Sequence, residues 1–317
     1  MSDYPRSQGE FDAQFASEEA CREYLFRLRW PEGFVCPRCA GHGGWLTKRG
    51  LVMCRGCGYQ ASLTAGTIFE GSRKPLQTWF RAVWAVTTDK GGVSALGVQR
   101  ILGLGSYQTA WTWLHKLRRA MVRPDQDRLS GRIEVDESYI GSISHGHEGR
   151  RRGKKALVLI AAQEDGRGIG RIRMQRVPDA SAESLEDFVV RAITQGSVVH
   201  TDGWSGYAGL AARGYVHEST PQKRLGLPGS DEDLLPRVHR VASLMKRWML
   251  GTHQGAVSQE HLDYYLDEFT FRFNRRRSRS RGMLFYRLLQ NAVRMGPTPY
   301  QAMAKGQRGP KAQGYNR

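Results

Sequence analysis

The sequence predicts a mixed α/β domain in its second half, preceded by a small metal-folded module and a set of short helices. Three observations carry that expectation. Two Cys-x-x-Cys pairs lie near the N-terminus, Cys36/Cys39 and Cys54/Cys57. Apolar residues at helical spacing follow them. Beyond residue 130, apolar runs of strand length alternate with helix-like segments and carry acids near their ends.

Composition narrows the partners. The chain has 317 residues, and Lys plus Arg number 48 against 30 Asp plus Glu, a formal net charge of +18. Such an excess favours a polyanion, most simply nucleic acid, through phosphate contacts and counterion release. No run of apolar residues has the length of a membrane span, and the polar, acidic N-terminus has no leader-like pattern. A cytoplasmic, nucleoid-associated protein is expected, with reduced cysteines and no membrane partner.

Fourteen residues separate the two cysteine pairs. Two such knuckles on a short hairpin can place four thiolates around Zn²⁺, so Cys36, Cys39, Cys54 and Cys57 are the expected ligands of a structural zinc ribbon. A four-thiolate site leaves no open position, so it folds the module and does not catalyse. The loop between the knuckles offers Trp45, Lys48 and Arg49 to nucleic acid. Cys21, on the helix expected over 17–30, is read as a small core residue.

Leu76, Trp79, Phe80, Val83 and Trp84 recur at steps of three and four, the stripe of an amphipathic helix. Ser94 and Ser106 then stand as N-caps before two further helices. This trio is expected to form a helix-turn-helix-like module over 71–124. Gln108, Lys116 and Arg119 of its last helix are the candidate DNA contacts.

After a linker at 123–125 comes the stretch 132–141, where Ile133 and Val135 alternate with Glu134 and Asp136. An acid inside an apolar strand is costly unless compensated, and a shared metal ion is the expected compensation. A basic loop (145–155), two more strands, a helix capped by Ser181 and a strand ending at Asp202 follow. Meander, helix and acid-tipped strand is the order of an RNase H-like domain, in which Asp136 and Asp202 lie side by side. Two such carboxylates suit Mg²⁺ or Mn²⁺. Two ions about 3.5–4 Å apart activate and stabilise the oxygens of an in-line phosphoryl displacement. A helix over 235–255 is expected to bring His239 and Lys246 to one face, since seven residues leave them only about 20° out of alignment.

Together the blocks CPRC…CRGC, VDESYIG, HTDGWSGY, VHRVASLMKRWMLGTHQG and HLDYYLDEFTFRFNRR resemble bacterial insertion-sequence transposases of the DDE, RNase H-like type, specifically the zinc-ribbon-bearing fifteen-ninety-five family. The resemblance implies a DNA transposase that binds terminal inverted repeats, cuts at them and transfers strands to target DNA, working as a dimer or higher oligomer. It carries the first two catalytic aspartates onto Asp136 and Asp202, both as magnesium ligands. The third position in this class is Glu, Asn or His followed seven residues on by Lys, which fits His239 and Lys246. Glu268 is the alternative third acid. Glu137 is expected on the opposite strand face, outside the metal shell. Arg275, Arg276 and Arg277 form an expected phosphate rail.

The expected domains are a ribbon (1–70), helical module (71–124), catalytic domain (125–295) and flexible basic tail (296–317). A non-catalytic DNA-binding regulator and a structure-specific nuclease on the same fold are the competing readings.

Overall fold

The structure is a computed structural model that describes residues 4–122, 127–141, 155–220, 234–255 and 257–307. The linker at 123–125, the basic loop up to 154 and the tail from 308 lie outside the described residues, apart from Lys155 at the loop's end. Contacts divide the chain into two units, Asp125–Arg277 and a unit combining Met1–Pro124 with Ser278–Arg317.

The first unit begins with helices α1 (Gln8–Gln14) and α2 (Glu18–Arg29), each capped by the preceding serine, Ser7 and Ser17. Strands β1 (Gly44–Leu46), β2 (Leu51–Cys54) and β3 (Gln60–Ser62) form an antiparallel sheet that holds the knuckles together. The four cysteine sulfurs all lie within 4.8 Å of one another. Cys36 Sγ is 3.7 Å from Cys57 Sγ, and Cys39 Sγ is 3.7 Å from Cys54 Sγ. A tetrahedron of sulfurs around zinc at about 2.3 Å has edges of about 3.8 Å, whereas disulfide sulfurs approach to about 2.05 Å. The spacing therefore fits a metal and not two crosslinks. Backbone N–H groups of Cys57 and Gly56 lower the Cys54 thiol to about 7, which favours the thiolate that a metal needs. Gly44 is required by close approach: a Cβ there would stand 2.5 Å from the Met53 carbonyl oxygen.

Helices α3 (Leu76–Thr88), α4 (Ala95–Leu102) and α5 (Tyr107–Met121) follow as expected. Ser94 accepts the Gly97 N–H at 3.1 Å, while Ser106 holds the cap position without a side-chain bond. Leu76, Trp79, Phe80, Val83 and Trp84 are all buried. Helix α9 (Arg281–Ala292), inside the 125–295 range expected for the catalytic domain, instead packs on α3 and α5 in this unit. Its Phe285 lies among Phe11, Phe15, Phe80 and Trp84. Aromatic burial at α9 outweighs chain order. Part of the expected flexible tail is likewise ordered, as α10 (Tyr300–Ala304) with Met303 buried.

The second unit is a five-stranded mixed sheet. In chain order its strands are β4 (Arg132–Ile140), β5 (Ala156–Asp165), β6 (Gly168–Val177), β7 (Val198–Thr201) and β8 (Val216–Ser219). In space they run β6-β5-β4-β7-β8, with the first three antiparallel and β7 and β8 parallel to β4. This is the expected meander with a fourth strand laid beside the first, plus an edge strand, β8, that the polar sequence did not announce.

Side-chain alternation gives the two faces of β4 different partners. Ile133 and Val135 join Leu159, Val199 and the apolar stripe Leu185, Phe188 and Val189 of α6 (Ala182–Ala192). The opposite face meets α7 (Pro236–His253), whose Val238, Val241, Ala242, Met245 and Met249 are buried. Helix α8 (Leu262–Asn274) packs on β6.

The most buried acid of β4 is Glu134, 1 % exposed, and its compensation is not a metal. Its carboxylate accepts the backbone N–H groups of Arg237 at 2.7 Å and Val238 at 3.0 Å, and pairs with the Arg237 guanidinium at 2.8 Å. A strand acid thus caps the first turn of α7, whose own cap residue, Leu235, has no side-chain acceptor. Arg237 also reaches Glu164 on β5 at 3.1 Å and the Gly166 and Gly168 carbonyls of the β5–β6 turn.

Two outcomes test these assignments. Glu134→Ala, which strands buried partners, is expected to lower folding stability by about 3–5 kcal/mol in urea unfolding. An unchanged midpoint would refute the capping role. One zinc per chain is expected by metal analysis, and its removal by chelator should accelerate amide exchange across β1–β3 while β4–β6 keep their protection.

Candidate active site

Strand register brings the two aspartates together. Ile133 pairs with Val199 and Glu134 with His200 on the parallel neighbour, so Asp136 and Asp202 occupy equivalent places two residues further on. Asp202 stands just past the end of β7, where Gly203 turns the chain at φ +88°. The Asp202 carboxylate accepts the Trp204 N–H at 2.9 Å, which holds it at the sheet's C-terminal edge.

Helix α7 supplies the third group. With its first turn fixed by Glu134, the next turn places His239 Nε2 3.2 Å from Asp136 Oδ2. The His239 side chain is 43 % exposed and that of Asp136 is 16 % exposed. Lys246 is exposed on the same helix. Seven residues put it about 10 Å further along the axis, a phosphate's distance rather than a ligand's.

Electrostatics mark this corner as short of positive charge. Burial pushes the Asp136 carboxyl up to about 6, reinforced by Glu137 and Asp202 and opposed by His239. Burial and Asp202 also raise Glu137. Its Oε2 accepts a 2.9 Å hydrogen bond from the hydroxyl of Tyr207, a fully buried residue of the 3-10 helix Ser205–Arg213. Glu137 does sit on the face opposite Asp136, as alternation demands, yet both acids feel Asp202 because it lies beyond the strand's end. Alternation along β4 alone could not reveal that convergence. Two half-buried carboxylates raised by burial and by neighbouring negative charge are a donor set suited to a hard divalent cation. Among the described residues, however, the cysteines are the group of three or more potential ligands within 4.8 Å of one another. Asp136 and His239 lie 3.2 Å apart, but Asp136, Asp202 and His239 do not all lie within that distance of one another.

Other expected site residues take different places. Glu268 is 1 % exposed and paired with Arg272 at 2.7 Å on α8, over β6 and two strands from β4. Packing, not the acid corner, accounts for it. In the first unit Trp45 is 52 % exposed, and Lys48 and Arg49 are exposed beside it. Gln108 is exposed at the start of α5. Further along α5 the expected DNA-reading face fails. Lys116 is half-buried, with its pKa lowered by that burial. Arg119 is only 5 % exposed and donates to the Gly296 carbonyl at 3.3 Å. The far half of α5 is enclosed by its own unit.

The expected phosphate rail is also largely occupied. Arg275 lies over Phe271 at 4.2 Å and donates to its carbonyl. Arg276 donates to the Ile169, Gly170 and Phe273 carbonyls, and Arg277 pairs with Asp165. Arg276 and Arg277 fasten the end of α8 to the β5–β6 hairpin. Glu134, Arg237 and Tyr207 are the supporting residues that the sequence reading missed. Polar residues at strand and helix starts were the available signal, but their pairing spans 70 to 103 positions.

Comparison with known proteins agrees with this layout. Residues 128–274 match the ISXO2-like transposase domain, and residues 16–60 match the transposase zinc-ribbon domain. The chain is 26 % identical over 283 residues to an uncharacterized protein in transposable element ISH50 of Halobacterium salinarum, covering 81 % of this chain and 91 % of that relative. No helix among the described residues is long and apolar enough to cross a membrane. The two matched domains span more than half of the chain in the order ribbon, then acid-bearing sheet, and the protein belongs to the zinc-ribbon-bearing fifteen-ninety-five family of insertion-sequence transposases.

Proposed function

We infer that this protein is a metal-dependent DNA transposase that binds the inverted repeats of its own element, cleaves there and joins the freed 3′-OH to target DNA. The observation that carries the reading is the meeting of Asp136, Asp202 and His239 at one edge of the sheet, inside the matched transposase domain. Asp136 and Asp202 would hold Mg²⁺ or Mn²⁺, with Glu137 close enough to share the charge. Bound there, the metal would supply Lewis-acid stabilisation of the attacking and leaving oxygens.

The chain's own residues have separable parts in this reaction. His239, a turn inside a helix whose start is clamped, fixes the orientation of the Asp136 carboxylate. Its imidazole is a weaker partner than a carboxylate for a hard cation, so it orients or handles a proton. Lys246 neutralises a phosphate of the bound strand. Tyr207 keeps Glu137 from swinging away by donating to one of its oxygens.

DNA recognition is assigned to exposed groups only. Trp45, Lys48 and Arg49 of the ribbon approach the backbone, and Gln108 reads from the start of α5, where recognition helices present their first turn. Arg119 is excluded by its burial. Binding two element ends at once calls for at least two copies of the chain on DNA.

The competing readings are separated by products. A labelled element-end duplex incubated with Mg²⁺ and a target plasmid is expected to give cleaved and joined DNA. Cleavage without joined product would favour a nuclease, and binding without cleavage a regulator. Asp136→Asn and Asp202→Asn should each lower cleavage at least about 100-fold with binding retained. His239→Ala should lower it about 10- to 100-fold. Full strand transfer by Asp136→Ala would overturn the site.

A further inference from the structure

Each aspartate is followed closely by an exposed aromatic ring: Tyr139, 60 % exposed, three residues after Asp136, and Trp204, 50 % exposed, two residues after Asp202. An isolated exposed aromatic needs no explanation. Trp204 differs in being held in its exposed position. Its indole N–H donates to the Ala180 carbonyl at 3.2 Å, and its backbone N–H donates to Asp202 Oδ1 at 2.9 Å. One edge of the ring rests on Gly206, where a Cβ would stand 3.0 Å from both Cδ1 and Nε1 of the indole. The ring is therefore held from behind, and the backbone that carries it is tied to the carboxylate of the proposed metal site. A preorganised ring loses little conformational freedom when a flat ligand covers it.

Resting on the transposase reading, we propose that Trp204 is a stacking platform for an unpaired nucleobase next to the phosphate being cut, with Tyr139 as a second ring at the same edge. A phosphate seated at Asp202 brings its own nucleotide's base within reach of a side chain two residues away. Within an intact duplex the π-faces of bases are covered by their neighbours, so the ligand is a base released from the stack at the cleaved end. Stacking on an indole tolerates any base, which suits a residue that holds the end in place while recognition is done elsewhere.

The test uses the full-length, zinc-loaded protein and two duplexes of the element's terminal sequence, one fully paired and one with mismatches at the cleavage position. Without added Mg²⁺ both stay intact. In the mismatched duplex, 5-iododeoxyuridine beside the scissile phosphate is expected to crosslink on irradiation to the peptide containing Trp204. Trp204→Ala is expected to weaken binding of the mismatched duplex about 10-fold or more, with little change for the paired duplex. Trp204→Phe, which keeps a ring but loses the indole N–H, should bind nearly as wild type, whereas Trp204→Leu should behave like Trp204→Ala. Thermal melting of each variant identifies any that unfolds, and the crosslink in wild type stands independently of them. A crosslink elsewhere, or equal binding of the mismatched duplex by wild type, Ala and Leu variants, overturns the platform alone. Failure of the wild type to bind either duplex overturns the transposase reading with it.

Discussion

A single carboxylate sets the geometry of the second unit. Glu134 lies almost wholly out of solvent and is answered by two backbone N–H groups and a guanidinium, all from the start of α7. Exposed ion pairs contribute about 1 kcal/mol or less, but here removal of one partner would leave charge and donors stranded in the interior. The helix can therefore dock on the sheet in one position. That position brings His239 against Asp136, the residue two along from Glu134 on the same strand face.

The clamp extends beyond the pair. Arg237 also binds Glu164 and the carbonyls of the β5–β6 turn, while Arg132 bridges Glu164 and Glu218. The arginines at the end of α8 fasten the same hairpin from another side. Positive charge that composition alone would direct to phosphates is thus partly spent inside the fold. The +18 of the whole chain overstates the charge free for DNA. The exposed cations of the ribbon and Lys246 on α7 are among the exposed positive groups of the described residues.

The cysteine quartet and the acidic corner show opposite designs. The cysteine quartet is closed and nearly at zinc's dimensions, so its work is to hold three very short strands that could not bury a core of their own. The acidic corner is open, half-buried and not drawn tightly together. Burial and the Asp202 charge raise the affinity of Asp136 and Glu137 for protons, which is the same electrostatic deficit that a divalent cation would relieve.

What the sequence determined by itself was whatever depends on short-range spacing. The cysteine knuckles, the stripe on α3, the Ser94 and Ser181 caps, and the alternation of β4 follow from periods of two, three and four residues. The pairing of Asp136 with Asp202 was legible because the order of strands prescribes it. Only the tertiary structure decided which acid was buried for stability, since Glu134 and Asp136 look alike in an alternating strand until α7 arrives from 103 positions away. It likewise decided that Arg119 is buried, that Arg276 and Arg277 bind the β5–β6 hairpin from an exposed position, and that α9 joins the N-terminal helices. Charge and amphipathicity say that a residue needs a partner. Which partner it finds is set by packing between elements far apart in the chain.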